Sequence, residues 1–267
     1  MRRVRTAPLL VALAVAGCAS TVSGTGSAPP RSGSPSSATA PTTATPTAGP
    51  TVSPTSAPPL TPATLGQRLR AAALREHSAH VEVVSGGLPG SADEHLDSGT
   101  VTALRVVQSV GAGVTYQVIA LGSHAWVHLP AFYRTHARWV IVSRRSPVVP
   151  ARNLAGVLPG VRATASPATA AAYVADAASV RVLGRRSVAG TATTAYSVLV
   201  VAGRLPPGSP LRVELAAAGV DRVSIELDVD ATDRLVRLAA LGSTVVWSHL
   251  DEPVHIAPPP AGQTGRS

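Results

Sequence analysis

A single cysteine, Cys18, stands among 267 residues, so no disulfide can form within the chain and whatever folds is held by its apolar core. The material for that core is aliphatic. Hydrophobic residues make up 45% of the chain and aromatic ones only 3%, so Ala, Val and Leu must fill the interior. The cysteine's position adds a second constraint. Arg2, Arg3 and Arg5 precede an apolar run from Pro8 to Ala16, and Val15-Ala16-Gly17 puts small residues just before Cys18. A positive head, a short apolar run and small residues at the cut predict a secretory signal peptide over 1–17. At roughly ten residues the run is too short for a bilayer span, which needs about 20.

The small-small-Cys ending resembles the bacterial lipobox. That resemblance implies a Cys18 that receives a diacylglycerol thioether and becomes the first residue of the mature protein. It places the chain on the extracytoplasmic face of the cell membrane, lipid-anchored.

The formal charge is +9. Every cation is arginine, and three of the 23 lie in the signal peptide, leaving 20 against 14 Asp and Glu, a net near +6. These arginines are spread thinly. They fit either a composition effect or attraction to an anionic membrane surface or acidic envelope polymer. No basic stripe interleaved with aromatics is present, which argues against nucleic acid as a partner.

Residues 18–60 form the lipidated cysteine and a tract of Ser, Thr, Pro, Ala and Gly, as in Pro41-Thr-Thr-Ala-Thr-Pro. Such composition cannot offset its ordering entropy and predicts a disordered linker. As a flexible coil of about 45 residues its r.m.s. span is roughly 35–40 Å. Folding signals begin at Thr61-Pro62, an N-cap followed by proline at N1. Leu65, Leu69, Ala72 and Ala73 then recur at helical spacing to about His77.

From Val81 the period becomes two. Strands are expected over 81–83, 98–110, 114–121, 125–129 and 138–142, with turns at Gly111-Ala112-Gly113 and Gly122-Ser123. Prolines at 147, 150, 159 and 167 punctuate two short helical pieces, near 153–158 and from Ser166-Pro167 to Ala178. Strands return at 180–184 and 196–200. A short helix at 211–218 ends with Gly219 at C′. Val223, Ile225, Leu227 and Val229 then alternate with Arg222, Ser224, Glu226 and Asp228, and strands follow at 235–241 and 243–250. The folded domain is expected over 61–258 and a flexible tail over 259–267. The fold class is α+β: a curved antiparallel sheet, a half-barrel, with helices packed on its concave side.

No catalytic constellation survives inspection: there is no G-x-S-x-G, H-E-x-x-H, phosphate loop or second cysteine. The chain is read as no enzyme, with no cofactor. His124 and His128 would share a helical face, but on a strand four residues span about 13 Å, too far for one metal. Asp228, Asp230 and Asp233 lack the glycine and closing glutamate of a calcium loop and fit a hairpin turn. His249, Asp251, Glu252 and His255 fit a solvated C-terminal loop. No metal site is assigned.

Several strands are apolar at both phases, as in Val118-Ile119-Ala120-Leu121 and Leu199-Val200-Val201. Plain core packing accounts for this. So does a sheet curved around a cavity lined by small aliphatics, with Val223, Ile225, Leu227 and Val229 as candidates for its inner face.

The order of landmarks resembles the actinobacterial LppX/LprAFG-type lipoproteins, whose domain is a LolA/LolB-like half-barrel. Gly122-Ser123 leads to Ala125-Trp126-Val127, then Arg138-Trp139-Val140 before the helical insert, then Val182-Leu183-Gly184, Val188-Ala189-Gly190 and Ala195-Tyr196-Ser197-Val198. Ile225-Glu226-Leu227-Asp228-Val229-Asp230, Arg234-Leu235-Val236-Arg237 and Glu252-Pro253-Val254 complete it. One departure is the turn Ala231-Thr232-Asp233, where the family usually has glycine. The resemblance implies a carrier that shelters the acyl chains of a lipid or glycolipid, for transport to or within the cell envelope. The alternative is an envelope sensor or scaffold that binds a protein partner, as yet unknown, through the same half-barrel.

Overall fold

The computed structural model describes residues 60–109, 114–130 and 137–265. Cys18, the signal peptide, all of the linker before Leu60 and the Gly111-Ala112-Gly113 turn lie outside the described residues.

Helix α1 (Pro62–Ala73) begins where the sequence predicts. The Thr64 amide donates to Thr61 Oγ1 at 3.1 Å and the Thr61 amide donates to Thr64 Oγ1 at 2.9 Å, a reciprocal cap followed by proline at N1. It ends a turn earlier than the expected His77, because the chain drops at once into β1 (Ser78–Ser85).

The strands β1, β2 (Leu88–Asp97), β3 (Thr100–Ser109), β4 (Thr115–Leu121), β5 (His124–His128) and β6 (Trp139–Ile141) form an antiparallel meander. Helices α2 (Val149–Ala165) and α3 (Pro167–Ala175) follow, then the hairpin β7 (Ser179–Val188) and β8 (Thr191–Val201). Helix α4 (Pro210–Ala218) precedes β9 (Arg222–Asp230), β10 (Leu235–Ala240), β11 (Ser243–Ser248) and the short β12 (Thr264–Gly265).

Together these make one open twelve-stranded sheet in the order β12-β6-β5-β4-β3-β2-β1-β11-β10-β9-β8-β7. The pairings are antiparallel except β12 on β6. The two meanders are joined by β1 and β11, whose partners His80↔Ser248 to Ser85↔Ser243 lie 158–168 residues apart. The expected α+β half-barrel with helices on its inner side is the fold that forms. The expected tail is ordered where it is described: Thr264 and Gly265 pair with Trp139 and Val140.

One cross-strand row shows how the core is built. Trp247, Val81, Ala92, Val106, Val118, Val127 and Val140 are successive partners across seven strands, and all are buried. The helices cover this face. The Trp247 indole N–H donates to the Ala165 carbonyl at 3.0 Å, which ties the end of α2 to β11.

Two elements differ from the sequence reading. Strand β2 was not expected, because Pro89, Gly90, Asp93 and Glu94 spoil its pattern. It forms because β1 and β3 pair with it on both sides. Helix α2 runs 17 residues through Pro159 where a short piece over 153–158 was expected to stop before that proline; the second expected piece, from Ser166-Pro167, forms as α3. Proline removes one N–H and leaves the Ala155 carbonyl without its usual donor, yet packing on either side keeps the helix going.

The outer face carries a charge cluster on β7–β10. The fully buried Asp228 accepts from Arg186 Nη2 at 2.6 Å, from Arg237 at 3.1 Å and from Thr193 at 3.3 Å. Burial pushes its carboxyl up, but these arginines outweigh burial and hold it below the ordinary carboxylate range. Asp230 closes the β9–β10 turn. Its carboxylate accepts from the amides of Thr232 (2.8 Å) and Arg234 (2.9 Å) and from Arg234 Nε (2.9 Å). Asp233 stands in for the missing glycine by taking φ 67° itself, and it pairs with Arg68 of α1.

Helix α1 packs on α3 through Gly66. A Cβ there would sit 2.6 Å from Ala175 Cβ and 2.7 Å from its Cα and N. Alanine gains about 1 kcal/mol over glycine in an open helix. Here backbone blocks it, so Gly66→Ala is expected to destabilise by about 1–3 kcal/mol in urea unfolding.

Candidate functional site

Between α2 and the strand ends lies an open pocket of about 560 Å³. The β2–β3 turn (Gly99, Thr100) with Val101, the β4–β5 turn (Gly122, Ser123) with Ala125, and Val142 form one wall. Ala155, Leu158, Pro159, Arg162 and Ala163 of α2, with Ser166 and Thr169 at the start of α3, form the other. The α2 members recur at i, i+3, i+4, i+7 and i+8, so one helical face is turned to the pocket. A second face, with Ala151, Leu154, Val161 and Ala165, is buried in the core.

Local chemistry explains the space. Gly99 has φ 74°, and a Cβ on it would lie 2.8 Å from Ala168 Cβ, so glycine both makes the turn and lets α3 approach. The Ser166 hydroxyl donates to the Gly99 carbonyl at 2.5 Å, which pins the α2–α3 junction to that turn. Ala125, Ala155 and Ala163 leave volume that larger side chains would fill. Within the domain-scale range of ligand sites, about 300–1,000 Å³, the pocket is of middle size.

Arg162 is the one titratable side chain on this wall among the described residues. Its Nε is buried with no hydrogen-bond partner, and burial lowers its pKa. The wall carries no carboxylate.

A smaller cavity of about 40 Å³ lies deeper, among Tyr173, Leu211, Glu214, Ile225, Leu238, Val245 and Trp247. Burial pushes the Tyr173 phenol up to about 12 and the Glu214 carboxyl up to about 7. The Leu211 amide donates to Tyr173 Oη at 3.4 Å and so holds α4 over this cavity.

The four candidate residues of β9 point to the inner face, where they oppose Val200, Val198, Tyr196 and Thr194. Ile225 lines the small cavity. Leu227 and Val229 are buried in the core and Val223 is half-buried, and none of the four reaches the larger pocket. Sequence reasoning missed the α2 residues because it broke the helix at Pro159. The face 155–158–159–162–163 reads as one stripe only if the helix is continuous.

His124 and His128 sit at the two ends of β5, stacked on Trp126 and edge-on to Trp139 respectively. His249 pairs with Glu252 at 3.0 Å on the surface, and Asp251 accepts from the His77 amide.

No helix among the described residues is long and apolar enough to cross a membrane. No protein-family model matches the chain, and no curated protein does. Solved structures are similar to it. LprF from Mycobacterium bovis has a TM-score of 0.49 at 17% identity, over 74% of this chain and 96% of that one. The lipoprotein LppX of Mycobacterium tuberculosis has 0.49 at 13% identity, over 73% and 98%. The Pseudomonas aeruginosa MucA/MucB complex has 0.34 at 14% identity, over 71% and 56%. The mycobacterial LprF and the lipoprotein LppX are thus among the structural neighbours of this chain.

Proposed function

We propose that the chain is a membrane-anchored lipoprotein that takes lipid or glycolipid acyl chains into the pocket beneath α2, for transport to or within the cell envelope. The observation that carries this reading is the open pocket of about 560 Å³, whose wall joins an apolar half (Val101, Ala125, Val142, Ala155, Leu158, Pro159 and Ala163) to a polar one. Each CH₂ moved from water into such a wall is worth about 0.8 kcal/mol, so a long chain supplies the driving force without any reaction. The reading involves no catalytic step and no cofactor. An acylated Cys18 on a linker of about 45 residues keeps the domain within reach of its own bilayer, at the extracytoplasmic face.

Native mass spectrometry of the full chain carrying Cys18→Ser, purified without detergent, tests the cavity. A co-purifying or exchangeable lipid is expected. Ala155→Trp, which fills the pocket from α2, is expected to reduce binding at least tenfold with an unchanged melting temperature. Absence of any lipid uptake by the parent chain sinks the reading. Mass and detergent partitioning of the wild-type protein test the anchor, which Cys18→Ser must abolish.

A second reading, a module that binds an envelope protein, has its own support. Among the described residues strand β7 ends the sheet with Val182 (51% exposed) and Leu183 (42% exposed), an edge suited to strand addition. Pull-down on the β7 edge variant Val182→Lys against the parent distinguishes it from lipid uptake.

A further inference from the structure

The larger pocket holds a cation and no anion. Elsewhere in the described residues arginines either end on protein oxygens or, like Arg70, Arg144 and Arg181, stand exposed to solvent. Arg68, Arg234 and Arg237 reach carboxylates, and Arg152, Arg204 and Arg212 reach backbone carbonyls. Arg162 differs. Its Nε is buried with no acceptor, and no Asp or Glu lines the wall around it. A guanidinium is not deprotonated in a protein, so its charge and its donors stay in place despite burial. A buried donor without an acceptor is costly and rare in native folds.

We propose that the pocket takes an amphiphile with an oxyanion headgroup, a carboxylate or phosphate, whose oxygens sit on the Arg162 guanidinium while its apolar chain lies along Leu158, Val142 and Ala125. This rests on the lipid-binding reading above and names the headgroup class. The guanidinium fork matches such an oxyanion in two parallel hydrogen bonds. Thr169 brings a hydroxyl donor to the same wall and Ser123, its Oγ 3.4 Å from His124 Nδ1, one to the facing wall, whereas the Ser166 hydroxyl is already committed to Gly99. A neutral amphiphile of equal length would fill the same space and leave Arg162 desolvated without a partner. Selectivity therefore comes from the headgroup, and affinity from the chain.

The test compares hexadecyl phosphate, hexadecanol and inorganic phosphate on the full Cys18→Ser chain, by displacement of a neutral fluorescent probe. Hexadecyl phosphate is expected to bind roughly ten- to a hundredfold tighter than hexadecanol. Arg162→Gln is expected to erase that preference by weakening hexadecyl phosphate and, with no unpartnered charge left to desolvate, to tighten hexadecanol, and Arg162→Lys to restore part of the preference. Melting curves check that the variants fold. Equal affinities in the parent chain, or a preference that survives Arg162→Gln, overturn the headgroup assignment and leave lipid binding intact. Failure of both amphiphiles to bind overturns the lipid-binding reading itself. Displacement by inorganic phosphate at matched concentration overturns the amphiphile and assigns the site to a free anion.

Discussion

Trp247→Ala is expected to destabilise the domain by about 3–5 kcal/mol, the cost of removing a fully packed large aromatic from a core. Trp247 is 2% exposed and is the largest side chain buried to this degree. It stands at one end of the row that runs through Val81 to Val140, and its indole N–H holds the last carbonyl region of α2 at Ala165. Its removal opens the 40 Å³ cavity it lines into a larger void, because neighbouring strands are fixed by their ladders and cannot collapse inward. For a domain of about 200 residues the melting temperature is expected to fall by roughly 10 °C. Trp247→Phe keeps most of the volume and loses only the hydrogen bond, so about 1–2 kcal/mol is expected. A Trp247→Ala protein within 1 kcal/mol of the parent would show that this row is not the core.

The second large effect is on pH. Glu94 lies on the inner face of β2, between Ala79 and Leu104, and Glu76 follows α1 nearby; both are buried. None of their four carboxyl oxygens has a hydrogen-bond partner. Burial first, then the neighbouring Asp251 carboxylate, pushes Glu76 from about 4.5 up to about 7. Burial, and then Glu76, holds Glu94 well above the ordinary carboxylate range.

A carboxyl whose pKa is raised by folding leaves stability intact below the unfolded value and removes it as pH rises through the folded value. The contribution of this pair is therefore expected to be full below about pH 4.5 and to be lost as pH rises through about 7, by about 3 kcal/mol from Glu76 alone. Once both groups are charged, their repulsion adds to that loss. Urea midpoints at pH 5, 7 and 8.5 read this directly. Glu76→Gln with Glu94→Gln is expected to make the profile shallower, leaving the share that Glu214 contributes in the same window, and to stabilise the protein at pH 8.5. A flat profile for the parent chain would contradict the burial of the pair.

Much of the architecture was legible in the residues because its causes are local. Thr61-Pro62, Ser166-Pro167 and Gly219 mark helix ends through bonds spanning a turn or less. The alternation in Val223–Val229 reports one buried face whichever strand lies beside it, because successive side chains point to opposite sides. Strand β2 was hidden for the same reason: Glu94 occupies an inward position and makes the alternation read as loop.

The sequence by itself determined the α+β class, the inner face of β9, the aspartate turn at 230–233 and the dependence on an aliphatic core with no disulfide. Only the tertiary structure decided that β1 pairs with β11 some 160 residues away, that α2 continues through Pro159, and that Arg162 faces a pocket without an acid. Those outcomes depend on which distant surfaces meet. Period and capping residues do not encode that, since a strand's alternation names its buried face and never its partner.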